Sequence, residues 1–280
     1  MLKEKLYDSR LKFTAKEDKI CQILLANYPT AGLSTVADLS ERAGVSVPTV
    51  LRFFSKLGFS GYTDFQKSLV EEIADQFNSP LSLFRERALE AEDTIYQSTM
   101  RSQASALEQL EADFHERDFD TTIDMLADER ATIHCMGGRF SHVVAERLAQ
   151  HLAQVRPGVR LLAFNPCNTP DLLVDYNEHV TLVVFDFRRY QPQVIHFAHM
   201  AHARGARIVL FTDRWQSPIA KFANRILISP VESNSPFDSW IPAIAQTDAI
   251  VASVADRNAD KTRKRLAAIE AVREEFMDGV

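Results

Sequence analysis

The chain has 280 residues, of which 46% are hydrophobic and 25% charged, a composition typical of a globular protein with one large or two ordinary domains. No apolar run approaches the roughly 20 residues that a membrane-spanning helix needs, and the charged N-terminus lacks the apolar core of a signal peptide. We therefore expect a cytoplasmic protein without a membrane partner, and the net charge of −6 argues against general nucleic acid binding by the whole chain.

The net charge is unevenly distributed along the chain. Residues 1–77 carry 10 Lys and Arg against 10 Asp and Glu, so residues 78–280 account for all of the −6. A neutral segment can hold DNA firmly only through a local basic face, and a second copy would roughly double its phosphate contacts.

The first 77 residues predict an all-helical domain. Capping-box patterns at Thr14–Glu17 and Thr35–Asp38 each begin a helix. Apolar residues at helical spacing predict a later helix from about Thr63 to Phe77.

Residues 35–62 predict a short helix, a tight turn and a second helix. Gly44 suits the left-handed conformation after the first helix, Ser46 is the expected cap of the second, and Pro48 is tolerated in its first turn. The expected buried face of the second helix consists of Val50, Phe53, Phe54 and Leu57. This is the layout of a helix-turn-helix that reads the DNA major groove.

The second helix carries residue types suited to DNA. The residues expected to face base edges are Ser46, Val47, Pro48 and Thr49. One turn later, Arg52 suits guanine or a phosphate, whereas Lys56 suits phosphate, and Tyr62 is a candidate contact to the DNA backbone. We predict a double-stranded operator bound by a homo-oligomer, either dimer or tetramer. The structural alternative is a helical bundle with a solvated polar face.

The remaining chain predicts a different fold class. Residues 78–127 predict a linker at 78–80 and connecting helices that pack on the next domain or across a dimer. Between residues 128 and 280, apolar runs at Ala131–Met136, Leu161–Phe164, Val180–Phe185, Arg207–Thr212 and Arg225–Ile228 alternate with helical segments, and a final amphipathic helix runs from Lys261 to Phe276. Strands that alternate with helices predict a parallel five-stranded sheet covered on both faces, an α/β three-layer sandwich.

Two groups of residues identify a family. The first comprises Val45, Ser46, Thr49, Val50, Arg52, Phe53, Leu57, Gly58, Phe59, Gly61, Tyr62 and Phe65; the second comprises Gly137, Ser141, Gly205–Val209, Thr212, Asp213, Ser217–Ala220 and Phe237–Ser239. In these positions the chain resembles RpiR-type bacterial transcriptional regulators, in which a helix-turn-helix precedes a sugar isomerase (SIS) domain that senses phosphosugars. The resemblance implies a regulator without enzymatic activity or cofactor. Repression is expected, and activation stays open.

The resemblance implies an effector site at the carboxyl ends of the strands, beside helix N-termini that favour anions. After the first strand it implies Gly138, Arg139 and Ser141, where Ser141 matches a phosphate-contacting serine and Arg139 stands in place of glycine. By analogy, Glu232 and Ser233 are expected to line the same site.

The loop after the third strand departs from the family. The usual Ser-x-Ser-Gly-x-Thr loop is replaced by a segment that contains Asp186, Arg188, Arg189 and Tyr190. Two interpretations stay open. Arginines bind phosphate and carboxylate bidentately, so the loop is one candidate site for a small anionic effector, a sugar phosphate or a carboxylate. Alternatively, Arg188 or Arg189 pairs with Asp186 or with a dimer partner and partly closes the pocket.

Other functions compete with this interpretation. A sugar-phosphate isomerase-like enzyme would need an acid and a base, such as Glu232 and a histidine, although no spacing demands it. A second alternative is a regulator whose SIS-like domain only dimerises. We expect partly exposed histidines rather than a metal site at His196, His199 and His202, and small buried side chains rather than reactive thiols at Cys21, Cys135 and Cys167.

Overall fold

The computed structural model describes residues 5–6, 12–77, 81, 94–163 and 169–278, with the backbone alone described for 74–77. The chain divides into two compact units, Met1–Asn78 and Ser79–Val280. The expectations for the side chain of Phe77, the linker at 78–80, Phe164 and Cys167 lie outside the described residues. Among the described helices, none combines the length and apolar character needed to cross a membrane.

The first unit is helical, as its sequence predicts. Its helices are α1 (Ala15–Ala26), α2 (Thr30–Leu33), α3 (Val36–Ala43), α4 (Val47–Lys56) and α5 (Tyr62–Phe77). The two predicted capping boxes are present, because the Thr14 and Thr35 hydroxyls accept N–H groups three residues later and Glu17 and Asp38 accept in return. These bonds satisfy backbone donors that an α-helix leaves free at its start.

An aromatic core holds these helices together. Phe53, Phe54 and Phe65 are fully buried, and the rings of Phe54 and Phe65 lie 4.1 Å apart between centroids. Gly32 of α2 lies against α5, where an added Cβ would approach the Leu69 side chain to 2.5 Å. The core therefore fixes the direction in which α4 presents its outer face.

The turn between α3 and α4 has the predicted geometry. Gly44 adopts φ +62°, and its N–H together with that of Val45 donates to carbonyls in the last turn of α3. A left-handed residue at this position costs little for glycine and more for residues with a Cβ. The turn directs α4 across α3, and the two helices pack against each other.

The second unit is built on a parallel sheet. Its strands are β1 (Thr132–Gly137), β2 (Val159–Leu161), β3 (Val180–Phe185), β4 (Arg207–Thr212) and β5 (Arg225–Ile228), in the order β2-β1-β3-β4-β5. Ile133 lies opposite Val159 of β2 and Thr181 of β3. The chain leaves β1 on one side and returns on the other, so the ends of β1 and β3 form a topological switch point.

Helices cover both faces of this sheet. The helices are α6 (Ile95–Ala112), α7 (Glu116–Ala127), α8 (His142–Val155), α9 (Pro192–His202), α10 (Ile241–Arg257) and α11 (Ala259–Asp278). On one face, α9 packs on β3 and β4. On the other face, α8 packs on β1, α10 and α11, while α6 and α7 pack on α10. The predicted three-layer α/β fold is confirmed.

Two elements differ from their predicted form. The second strand was predicted at Leu161–Phe164 and lies instead at Val159–Leu161 on the sheet edge, where Arg160 is exposed. An edge strand needs no continuous apolar run, because one side faces solvent. One of the helical segments predicted between the strands, the one that follows Thr212, is only a short 3-10 helix, Pro218–Lys221.

Candidate functional site

The outer face of α4 presents most of the predicted DNA-contacting residues. Ser46, Pro48 and Arg52 are exposed, and Val47 and Thr49 are half-buried. The opposite face of the helix is fully buried in the aromatic core. The face that is free of packing is therefore the face on which the sequence places its polar and basic residues.

Ser46 occupies the cap position but does not cap the helix with its side chain. Its backbone is extended, as for a cap residue, yet no backbone N–H of α4 donates to its hydroxyl. Its Oγ lies 2.9 Å from Oγ1 of Thr49 instead. Pro48 removes one donor from this turn, and the two hydroxyls form a small exposed polar cluster.

Lys56 and Tyr62 already have partners inside the unit. The Lys56 ammonium lies 2.8 Å from the Glu17 carboxylate and 2.6 Å from the carbonyl of Lys12. Tyr62 is buried, and its hydroxyl lies 2.9 Å from the carbonyl of Ser34. The buried Tyr62 differs from the sequence-based expectation, whereas Lys56 is exposed and its contact with phosphate stays a prediction. The acceptors from the α1 and α2 regions were not apparent from the spacing of the sequence.

Two further exposed residues of the helix-turn-helix were not predicted as DNA contacts from the sequence. Leu51, on α4 itself, is 39% exposed, and Arg42 is exposed in the last turn of α3. An exposed apolar side chain on a reading helix suits the methyl group of thymine. The available signal was that Leu51 falls outside the buried stripe of α4.

In the second unit, the β1 end forms a closed turn rather than an open hydroxyl site. The Ser141 hydroxyl donates to the Phe185 carbonyl at 2.7 Å and accepts the Gly138 N–H at 2.8 Å. Ser141 is only 5% exposed. The predicted phosphate-contacting hydroxyl is therefore occupied, because it ties the end of β1 to the end of β3.

The loop after β3 contains a buried ion pair. The Arg188 side chain contacts the Asp238 carboxylate with its Nε at 2.7 Å, and the two side chains are 6% and 9% exposed. The Arg188 guanidinium also lies over the Trp215 ring, 5.1 Å from its centroid. Arg188 is therefore paired within the chain, but with Asp238 rather than with Asp186 or a dimer partner, the two partners that the sequence suggested.

Two buried carboxyls support this loop from beneath. Asp186 accepts the Ser217 hydroxyl at 2.5 Å, and Asp213 accepts the Tyr190 hydroxyl at 2.7 Å as well as the backbone N–H of Arg188. Burial raises the pKa of both Asp186 and Asp213 to about 6. Burial and the Asp213 carboxylate also raise the pKa of the Tyr190 phenol. These groups hold the loop in one conformation.

Two arginines of the predicted site remain on the surface. Arg139 is exposed and its guanidinium lies over the ring of Phe140, 5.0 Å from the centroid. Arg189 is exposed with φ +63°, a conformation that residues with a Cβ seldom adopt. Gln191 lies beside Gly138, where an added Cβ would meet the Gln191 amide at 3.2 Å.

The predicted residues Glu232 and Ser233 lie in a loop after β5. Glu232 forms a 3.0 Å ion pair with Arg214, and the Ser233 hydroxyl donates to the Phe237 carbonyl. The same loop is anchored on α6, where the Ser239 hydroxyl donates to Gln103. Glu232 is thus held by an arginine rather than left as an isolated base.

Sequence reasoning did not select three groups that organise this site, namely Asp213, Trp215 and Asp238. Each contacts Arg188, the first two from the segment after β4 and the third from the segment before α10. Asp213 and Asp238 are among the residues that carry the family resemblance, but neither of them was assigned a role in the site from the sequence, and Trp215 gave no signal.

Within the part of the chain that the structure describes, no three or more His, Cys, Asp or Glu side chains are grouped so that they could hold a metal ion. The three histidines of α9 are exposed, and His199 and His202 pack their rings near Phe222. Cys21 and Cys135 are buried, as expected.

Two known domain families match the two units. Residues 1–76 match the helix-turn-helix domain of the rpiR family, and residues 125–255 match the SIS domain. An uncharacterised HTH-type transcriptional regulator of Thermotoga maritima is 27% identical over 234 residues, which are 81% of this chain and 79% of that protein. The HTH-type transcriptional regulator HexR of Pseudomonas aeruginosa is 26% identical over 85% of this chain and 83% of its own length.

Solved structures share the fold. The sugar isomerase domain of an RpiR transcription factor from Sphaerobacter thermophilus superimposes with a TM-score of 0.59 at 18% identity, over 64% of this chain and 99% of that one. The NanR protein of Vibrio vulnificus, complexed with ManNAc-6P, gives a TM-score of 0.56 at 18% identity over 99% of both chains.

Proposed function

We propose that this transcriptional regulator, which has an rpiR-family helix-turn-helix domain and a SIS domain, binds operator DNA as a pair of chains. We also propose that it responds to a small anionic metabolite. We expect it to act as a cytoplasmic repressor without catalytic activity. The observation that carries the DNA part is the outer face of α4, which is polar, exposed and backed by a rigid aromatic core.

Ser46, Val47, Pro48, Thr49 and Arg52 form the proposed reading surface. The first turn of a recognition helix faces the base edges, and Arg52 follows one turn later on the same side as Thr49. Lys56 and Tyr62 have a supporting role in this proposal: Lys56 fixes α4 against α1 through Glu17, and Tyr62 fixes the start of α5. The two half-sites of a paired protein would lie about 34 Å apart on the DNA.

Replacing Arg52 by alanine is expected to weaken operator binding by about 1–3 kcal/mol, because Arg52 is the exposed basic residue nearest the first turn of α4. The operator would be selected from a random DNA library with the wild-type protein, and affinities measured by mobility-shift titration at fixed salt. Arg130→Ala removes the same charge from an exposed site in the other unit and is the control. An unchanged affinity for Arg52→Ala would remove this residue from the reading surface.

The effector part of the proposal rests on the switch point of the sheet. The exposed guanidiniums of Arg139 and Arg189 border the ends of β1 and β3, near the N-terminus of α8. A related fold, that of NanR, has been solved with ManNAc-6P, a sugar phosphate, which makes phosphosugars the first ligands to test. The altered loop after β3 makes carboxylates the second.

A ligand present at 100 times its dissociation constant is expected to stabilise the second unit by about 2.7 kcal/mol. Thermal unfolding against panels of phosphosugars and of small carboxylates, with wild type and Arg139→Ala, tests this. A shift seen in wild type and reduced in Arg139→Ala supports the site. Arg147→Ala, which removes a half-buried arginine of α8 that pairs with Asp248, is the control. A ligand shift unaffected by Arg139→Ala would place the effector elsewhere, and no shift with either panel would favour a domain that only dimerises.

A further inference from the structure

The last helix, α11, has one face against the unit and one face without any described neighbour. Thr262 and Arg265 hold the inner face on α8, where they donate to the carbonyls of Val155 and Ala153. Ile269, one turn after Arg265, continues this inner side and is half-buried. Successive residues of an α-helix are rotated by about 100° about the helix axis. The face of α11 opposite Thr262, Arg265 and Ile269 therefore consists of other residues, and we refer to it as the outer face.

Along the outer face, a basic residue comes first, small residues follow, and acidic residues come last. In chain order it consists of Lys264, Ala267, Ala268, Ala271, Glu274, Glu275 and Asp278, all of them exposed. The charges on this face are distributed as in the whole helix, with basic side chains in the first half and acidic side chains in the second. Residues 259–268 carry four basic and one acidic side chain, and residues 269–278 carry four acidic and one basic.

From this arrangement we propose that α11 pairs with α11 of a second copy of this chain, in antiparallel orientation about a two-fold axis near Ile269 and Glu270. In such a pair the basic half of each helix lies along the acidic half of the other. Lys264 then faces Glu275 of the second copy. A parallel pair would place like charges together and is disfavoured.

The small residues at the centre suit close contact. Ala268 lies opposite Ala271 of the second copy, so the two backbones can approach without a large side chain between them. Val272, at the border between this surface and the inner side of α11, is apolar and 64% exposed. A groove of about 750 Å³ beside Val272, bordered by Lys261, Lys264 and Arg273, would receive part of the second helix. Exposed apolar side chains beside complementary charges are typical of an interaction surface.

This inference deepens the proposed function, because it assigns the pairing of two copies to one helix. The pairing of α11 does not depend on DNA, so the pairing and the proposed DNA binding can fail separately. If the full-length protein is a dimer whose mass depends on Lys264 and Glu275 yet it retains no operator, the proposed DNA binding is wrong and the interface stands. If it binds operator but its mass does not depend on α11, the interface is wrong and the function stands.

The test uses charge reversal at a pair that cannot meet within one helix. Lys264 and Glu275 are eleven positions apart in α11, which separates them by about 16 Å along the helix axis. Lys264→Glu places two Glu–Glu contacts in the pair, and Glu275→Lys places two Lys–Lys contacts. Each single variant is expected to raise the dimer dissociation constant by roughly tenfold or more and to lower the mass measured at low micromolar concentration.

Mixing the two variants in equal amounts is expected to restore the dimer. In the mixed pair, one contact joins the glutamate introduced by K264E to the lysine introduced by E275K, and the other contact is the unaltered pair of Lys264 and Glu275. Opposite charges therefore face each other at both places.

The control for this experiment makes the same charge change elsewhere. Lys221→Glu alters an exposed position near the other face of the sheet and is expected to leave the mass unchanged. Circular dichroism of each variant establishes that it is folded. A wild-type monomer, single variants that dimerise like wild type, or a mixture that stays monomeric would each overturn the proposal.

Discussion

Asp238→Ala is expected to lower the free energy of unfolding of the second unit by about 3–5 kcal/mol, since it leaves the buried Arg188 guanidinium without its carboxylate. The two side chains are almost fully buried, and the Arg188 Nε donates to the carboxylate at 2.7 Å. A buried charge that loses its partner retains its desolvation penalty, whereas an exposed charge is solvated again. Thermal or urea unfolding of the full chain measures the change.

Two comparisons separate burial from the mere loss of an ion pair. Asp248→Ala removes the partner of Arg147 from a bidentate pair whose side chains are 38% and 50% exposed, and should cost about 1 kcal/mol or less. The double variant Arg188→Met/Asp238→Leu should recover most of the loss, because a buried pair can be replaced by apolar side chains of similar volume at little cost. Equal losses for Asp238→Ala and Asp248→Ala would contradict the explanation.

Phe54→Ala is expected to destabilise the first unit by about 3–5 kcal/mol and thereby abolish DNA binding. Phe54 is fully buried and its ring contacts those of Phe53, Tyr62 and Phe65. A small domain has only about 5–15 kcal/mol of total stability, so this loss removes much of it. Calorimetry should show the first unit unfolding at lower temperature while the transition of the second unit persists.

Val70→Ala provides the matched control within the same unit. Val70 lies on α5 and is 53% exposed, so its truncation leaves no cavity and should change stability by about 0.5 kcal/mol or less. Operator binding should then be retained. If Phe54→Ala unfolded no more readily than Val70→Ala, the aromatic cluster would not be the feature that holds α4 in place.

Local signals in the sequence predicted most of the secondary structure. The capping boxes at Thr14 and Thr35 and the left-handed Gly44 depend on residues within a few positions of one another, so pattern alone is enough to find them. The strands at Val180–Phe185 and Arg207–Thr212 were also predicted with their observed bounds, because a central parallel strand is buried on both faces and reads as a continuous apolar run.

Pairing between distant residues was not predictable in this way. The second strand was predicted at the wrong residues, because this edge strand is defined by its hydrogen bonds to β1 and not by its own apolar content. Lys56 and Ser141 have the residue types of ligand contacts, yet they are engaged by groups 39 and 44 residues away in the chain. The residue type determines the chemistry of a side chain, but only the fold determines which groups lie close enough to bond to it.

For this protein, the sequence alone determined the helix-turn-helix with its DNA-reading helix and the alternating order of strands and helices, because both are encoded by short-range spacing of caps, glycines and apolar residues. The tertiary structure decided which of the predicted site residues have side chains on the surface and which are buried. Arg52, Arg139 and Arg189 lie on the surface. Tyr62 and Arg188 are buried against partners from other elements, since their polar groups would otherwise lose water without compensation.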